Sequence, residues 1–424
     1  MNPYKSFWMG GFEGADHINA RLDRLDMVGG SGHDLHVEED YVHLANIGIN
    51  TVRESVGWRI SQPTIDSPLD LSRAVEFAEV AKRKDIQIIW TFMHYGTPEG
   101  VSLQDDSFID HFAEYAKKVA TELAPFSDTP VYNLINEISY LSWAVAHTDF
   151  MHPYSETADG FELKCRLVRA VLKAITEIKK ISPGARFLHV EPIMHVAVPE
   201  GRPDLIEEAE RFKGYQWQTF DLLRGDLEPH LGGSPEFLDL IGVNYYYNGQ
   251  IEFHGDALCW QTPDHRRLPF SKMLESVWER YKQPLIISET GHFDEGRGPW
   301  LDEVLGEVNA AIRSGIPVQG VCIYPVLDRP CWHTPENFIA TGLIEITARG
   351  RRYHFGSAKA LLRWMNKMKT YSYKEKSTRL CIPQLRNTSC QEATTQENIR
   401  TVTSVQAGGM AVGFSKRRKS SALA

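Results

Sequence analysis

This 424-residue chain is short of several things, and each shortage removes a class of protein. Its cysteines are few, Cys165, Cys259, Cys322, Cys331, Cys381 and Cys390, with no CxxC pair and no regular spacing. That argues against a disulfide framework or a cysteine zinc site, and for free thiols in a reducing compartment. No apolar run approaches the roughly 18–20 residues needed to span a bilayer, so no membrane partner is expected. The first residues lack the apolar core of a signal peptide, and a cytoplasmic location is expected. Positive charge is scarce too: 46 Lys and Arg face 55 Asp and Glu, for a net charge of −9. The basic residues are also unevenly spread, being enriched from Tyr371 onward, which leaves the body of the chain more acidic still. Nucleic acid is therefore not an expected partner, because phosphate binding needs a basic face.

What is present is an ordinary apolar content, 42%, enough for a sizeable core, with 10 Trp and 16 Tyr. Aromatics in that number can fill a core or line a sugar cleft. Strand-like apolar runs fall at 7–12, 50–57, 86–94, 131–137, 186–191, 238–246, 285–289 and 318–324. Between and after them, helical periodicity falls at 38–46, 71–84, 108–123, 161–181, 205–224, 271–281, 300–314 and 357–368. Eight βα units with near-continuous apolar strands predict an α/β fold, a (β/α)₈ TIM barrel, as a single domain over 1–370. That body exceeds the ~250 residues typical of the fold, so long βα loops are expected, at 96–106, 139–159 and 247–270. From Tyr371 to Ala424 the sequence turns to Ser, Thr, Gln and Asn with a Lys416-Arg417-Arg418-Lys419 cluster. Such a segment is predicted to be disordered, and it receives no function.

Two of the apolar runs end in acid. Val131 to Glu137 reads Val-Tyr-Asn-Leu-Ile-Asn-Glu, and 284–289 reads Pro-Leu-Ile-Ile-Ser-Glu. Polar groups at strand ends of such a barrel line its active-site cleft. Arg53, His94, Asn136, Glu137, Glu191, Asn244, Tyr246 and Glu289 all fall there. Two carboxyls in one cleft suit cleavage of a glycosidic bond. One must protonate the leaving oxygen, and the other must meet the oxocarbenium-like carbon directly or through water.

The ordered set of motifs resembles the clan A retaining glycosidases, and more narrowly glycoside hydrolase family 1 and its β-glucosidase-like relatives. Besides Asn136-Glu137 and Ser288-Glu289-Thr290-Gly291, it includes a glycine-containing first strand and Val52-Arg53-Glu54-Ser55 with Trp58-Arg59-Ile60. Phe92-Met93-His94-Tyr95, Ile241-Gly242-Val243-Asn244-Tyr245-Tyr246, Leu327-Asp328-Arg329-Pro330-Cys331-Trp332 and Thr341-Gly342-Leu343 complete it. The resemblance implies Glu289 as nucleophile and Glu137 as acid/base, with no metal and no cofactor. It implies Asn136 and His94 on sugar hydroxyls, Arg53 and Tyr246 beside Glu289, Asn244 in the polar floor and Trp332 under the sugar.

Two positions depart from the pattern. His17 stands where the family usually has a glutamine that grips the sugar's outer hydroxyls, and Cys331 replaces a glutamate at the same end. His33-Asp34 and His265-Arg266-Arg267 could supply substitute contacts or be solvated loop residues. The expected partner is a small carbohydrate or glycoside. The rival functions are a retaining barrel hydrolase for another glycone, β-mannosidase/mannanase- or β-galactosidase-like, and a non-hydrolytic sugar-binding or regulatory protein.

Overall fold

The computed structural model describes residues 2–368 apart from Glu156 and Pro263. The expectation for the stretch from Tyr371, with Cys381 and Cys390, lies outside the described residues. Eight parallel strands close into a barrel: β1 (Trp8–Gly11), β2 (Thr51–Ser55), β3 (Gln87–Met93), β4 (Val131–Ile135), β5 (Arg186–Pro192), β6 (Leu240–Asn244), β7 (Leu285–Thr290) and β8 (Val318–Ile323). Each strand pairs with the next in sequence, and β8 closes on β1 through Trp8–Val321, Met9–Cys322 and Gly10–Ile323. The TIM barrel read from the sequence is the fold.

The alternation of side chains along each strand builds two cores. Residues pointing inward, Met9, Ile89, Val131, Leu188, Val190, Leu240, Ile286 and Cys322, fill the barrel floor, with Tyr4 among them. The outward set packs against the helices, where Ser107–Leu123 buries Phe108, Phe112, Tyr115, Ala116, Val119 and Leu123 at i, i+3 and i+4 spacing. Each such aliphatic or aromatic side chain contributes roughly 1.5–3 kcal/mol by leaving water. Helix ends follow local chemistry. Asp159 caps Gly160–Ile181 by accepting from the backbone N–H groups of Phe161 and Glu162, and Pro183 follows the helix within two residues.

Several elements differ from expectation, and the helix expected over 38–46 begins earlier, as His33–Asn46. The helix expected over 205–224 is two, Ile206–Gly214 and Gln218–Arg224, separated by a tighter turn at Tyr215–Trp217. Gly214 is a poor helix former, and the break lets Phe220, Leu222 and Leu223 bury on a different line from Ala209. The long loop after β4 is not irregular, because Ile138–His147 is helical. Nearly every side of that helix is buried, so it lacks the polar face that periodicity would reveal. No described helix is long and apolar enough to cross a membrane.

Candidate active site

Above the apolar floor the inward positions turn polar, and they carry the site. On β7 the pairing with β6 slips between Ile287 and Glu289, and with β8 between Ile287 and Thr290. Such an irregularity re-aims a side chain at a sheet end. Glu289 is buried there between two donors: Arg53 Nη1 gives to Oε1 at 2.5 Å and the Tyr246 hydroxyl to Oε2 at 2.7 Å. Arg53, from β2, is itself fully spent. It also donates to Asn133 at 3.2 Å, to Thr91 at 3.2 Å and to the Asn136 carboxamide oxygen.

Glu137 leaves β4 in a left-handed conformation, φ 42°, that few non-glycine residues adopt. Its backbone N–H bonds Val190 at 3.1 Å, and its carbonyl accepts from Leu141, which fixes that turn. The Tyr95 hydroxyl donates to Oε2 at 2.5 Å and Asn244 Nδ2 to Oε1 at 2.8 Å. Asn244 accepts in turn from Ser288, the neighbour of Glu289, at 2.7 Å. Burial first, and the Glu289 charge second, push the Glu137 carboxyl up to about 8. At neutral pH that shift favours the protonated form of Glu137. Asn136 donates to His94 Nε2 at 3.1 Å and to Tyr95 at 3.0 Å, which ties His94, Asn136 and Tyr95 together.

The other end of the pocket is built differently. The His17 ring meets Trp332 edge-on at 5.0 Å, and the Arg329 guanidinium lies 5.6 Å from the Trp332 ring centre. His17 Nδ1, Arg329 Nε and Trp332 Nε1 are buried without a hydrogen-bond partner. Burial and the nearby His333, Arg59 and Arg329 hold His17 down to about 3, so it is neutral. Cys331, also buried, brings only a thiol to this end. Glycine is required nearby, since a Cβ at Gly11 would fall 2.3 Å from the Tyr324 ring and one at Gly14 2.0 Å from the Ser55 hydroxyl.

Seven of the nine site residues expected from the sequence, Arg53, His94, Asn136, Glu137, Asn244, Tyr246 and Glu289, are linked by hydrogen bonds at the strand ends of the barrel, while His17 and Trp332 come from the loops after the first and eighth strands and meet each other. Glu191 stays out of that ring. It accepts from the Ser139 backbone at 3.1 Å and is pushed up to about 7 by burial, which makes it a brace for the turn after Glu137. Of the suggested substitute contacts, His33, Arg266 and Arg267 are engaged within the protein. His33 is buried between Asp40, at 2.8 Å, and Glu54, at 3.0 Å, and Asp34 sits in the first turn of the same helix. Arg266 pairs with Asp264 and Glu252, Arg267 donates to Leu258 and Tyr245, and His265 points to solvent. The sequence reading missed Glu13, Tyr95, Ser288, Tyr324 and Arg329. Tyr95 and Ser288 lie beside residues already singled out, Tyr324 follows the eighth strand and Arg329 falls within a motif quoted from the sequence, whereas Glu13 carried no such signal.

No family model matches the chain. It is 22% identical over 361 residues to β-glucosidase A of Thermotoga maritima, covering 70% of this chain and 77% of that protein. A chloroplastic galactolipid galactosyltransferase of Arabidopsis thaliana is 32% identical over 118 residues, 24% of this chain and 19% of that protein. Among solved structures, the T. maritima β-glucosidase in complex with noeuromycin superposes with a TM-score of 0.67 at 17% identity, over 87% of this chain and 98% of that one. An enzyme designated AHE from Alicyclobacillus herbarius gives 0.68 at 14% identity, over 87% and 99%. This is a β-glucosidase-like barrel. The β-glucosidase-like match spans the strands that carry Glu137 and Glu289, not one isolated motif.

Proposed function

We propose that this β-glucosidase-like chain is a retaining β-glycoside hydrolase acting by double displacement, with the barrel as its one catalytic domain. Glu289 attacks the anomeric carbon while Glu137 gives its proton to the departing glycosidic oxygen, leaving a glycosyl ester on Glu289. Glu137, now ionised, takes a proton from water, whose oxygen attacks the anomeric carbon and returns the Glu289 carboxylate. The carrying observation is the unlike setting of the two acids. Glu289 has a guanidinium against one oxygen, whereas Glu137 has only neutral donors and is pushed up to about 8. In this reading Asn136 and His94 hold ring hydroxyls, Asn244, which donates to Glu137 at 2.8 Å, steadies the acid, and Trp332 lies under the sugar. The substrate is a small β-linked glycoside, in keeping with the noeuromycin held by the T. maritima enzyme. Among the described residues Cys165, Cys259, Cys322 and Cys331 are free thiols, which supports a reducing, cytoplasmic site of action.

A panel of aryl β-glycosides tests this on the wild type and Glu289→Gln. Turnover should fall roughly a thousandfold or more in the variant. A slow 2-fluoro glycoside should leave a covalent sugar on Glu289 of the wild type, read by peptide mass. Equal rates in both proteins remove Glu289 from the mechanism. His17 and Cys331 favour a second function, sugar binding without turnover. Tight binding of a sugar by a wild type that cleaves no glycoside in the panel would establish it.

A further inference from the structure

Glu13 follows β1 on the rim, and nothing above gives it a task. It is buried, and with Tyr246, Tyr324 and Arg329 it lines a small cavity. Tyr246 also donates to Glu289, so this cavity adjoins the reacting carboxylate. Glu13 Oε1 is pinned by the Ala15 backbone N–H at 3.2 Å and the Tyr324 hydroxyl at 3.3 Å, and it stands 3.9 Å from His94 Nε2. Oε2 faces Arg329 Nε at 3.4 Å, an ion-pair distance at which Nε still makes no hydrogen bond. Arg329 Nη1 is held by the Pro330 carbonyl at 2.9 Å. A fixed acceptor and a fixed donor therefore stand side by side, between His94 on the Glu13 side and the Trp332 ring on the Arg329 side.

We infer that Glu13 and Arg329 are the specificity-determining pair that reads two neighbouring hydroxyls at the outer edge of a neutral hexopyranose. This rests on the glycosidase function proposed above. One hydroxyl donates to Glu13 Oε2 and its neighbour accepts from Arg329 Nε, replacing the carboxylate that Cys331 lacks. Hydrogen bonds to charged groups are the strong ones, and a sugar without the matching hydroxyl leaves a buried charge underserved. The pair also selects against an anionic glycone. Arg329 is the cation such a group would seek, and Glu13 already stands against it with the same sign as the ligand.

Calorimetry on the full chain separates this role from a merely structural ion pair, because it needs no turnover. The probes are deoxynojirimycin, its 3-, 4- and 6-deoxy analogues, and its analogue carrying a carboxylate at carbon 6. Glu13→Gln should weaken deoxynojirimycin at least tenfold. One deoxy analogue should lose as much against the wild type yet bind the variant no worse than the parent does. The carboxylate analogue should gain at least tenfold relative to deoxynojirimycin in the variant. Arg329→Lys, which keeps the charge and loses Nε, should repeat the hydroxyl result with a smaller loss, and it serves if Glu13→Gln does not fold. Losses that simply add for every analogue, with no gain for the carboxylate, overturn the assignment and leave the hydrolase intact. A wild type that binds none of the probes also overturns the assignment, while the hydrolase function stands or falls on the aryl β-glycoside panel.

Discussion

The two halves of the pocket are furnished in opposite ways. Where the bond would break, Glu137, Glu289, Asn136, Asn244 and Arg53 are tied to one another or to Tyr95, Tyr246 and Ser288. At the outer end, His17, Arg329 and Trp332 each keep a buried nitrogen with no partner in the protein. Buried polar groups are normally satisfied, so leftover capacity marks groups whose partner comes from outside. The half that carries the two acids is preorganised by the fold, and the outer half keeps unspent hydrogen-bonding capacity. That division explains why the departures His17 and Cys331 cluster at one end. Changes there cost no internal hydrogen bond, whereas a change in the cleavage half would strand several.

The sharpest way to break the contrast is to remove the hub of the tied half. Arg53→Met leaves Glu289 buried beside a lost cation and frees acceptors on Asn133, Asn136 and Thr91. Breaking a buried pair from one side costs roughly 3–5 kcal/mol, so chemical denaturation should show a loss of that order together with lost turnover. A variant as stable as the wild type would mean that the ring is not a connected network.

Glu137→Gln is the next test, and its effect should depend on the leaving group. Poor leaving groups need the proton, so their rate should fall roughly 10²–10⁴-fold, while activated aryl leaving groups should suffer less in the glycosylation step. In the wild type, kcat/KM should decline as pH rises through about 8, because ionised Glu137 cannot donate. Stability carries the same sign. The folded carboxyl holds its proton to a higher pH than the unfolded one, so wild-type stability is lost as pH rises from about 4.5 to about 8. Glu137→Gln should therefore be the more stable protein above that range. An alkaline limb that survives unchanged in Glu137→Gln would assign the limb to another group.

The unequal furnishing also bears on what could be read from sequence. Strands ending in Asn136-Glu137 and Ser288-Glu289 stood out because acid after an apolar run contradicts packing. The barrel followed from eight such runs alternating with helical periodicity. Glu13 did not stand out, because it lies in a glycine-rich stretch with no pattern to violate. The helix Ile138–His147 hid for the opposite reason, being apolar all round. His33 looked like a loop residue because its partners, Asp40 and Glu54, meet it only after β2 and the preceding helix have folded together. Spatial convergence of single residues leaves no trace in spacing, whereas a repeated element does.

The smallest expected effect belongs to the outer half, and it is diagnostic for that reason. His17 is neutral across the working range, since burial and neighbouring cations hold it down to about 3. Under the proposed function it would meet a sugar as a donor or acceptor without charge, and glutamine can do the same. His17→Gln should then change KM by less than roughly tenfold, one neutral hydrogen bond's worth, and leave kcat alone. Its stability signature should be larger than its kinetic one. The unfolded imidazole takes a proton near pH 6.5 and the folded one does not, so the wild type loses stability as pH falls from about 6.5 toward 3. The variant should show a shallower acid decline in denaturation midpoints measured from pH 7 to pH 4. A large fall in kcat, or an acid decline identical to the wild type, would place His17 among the tied groups and dissolve the contrast between the two halves.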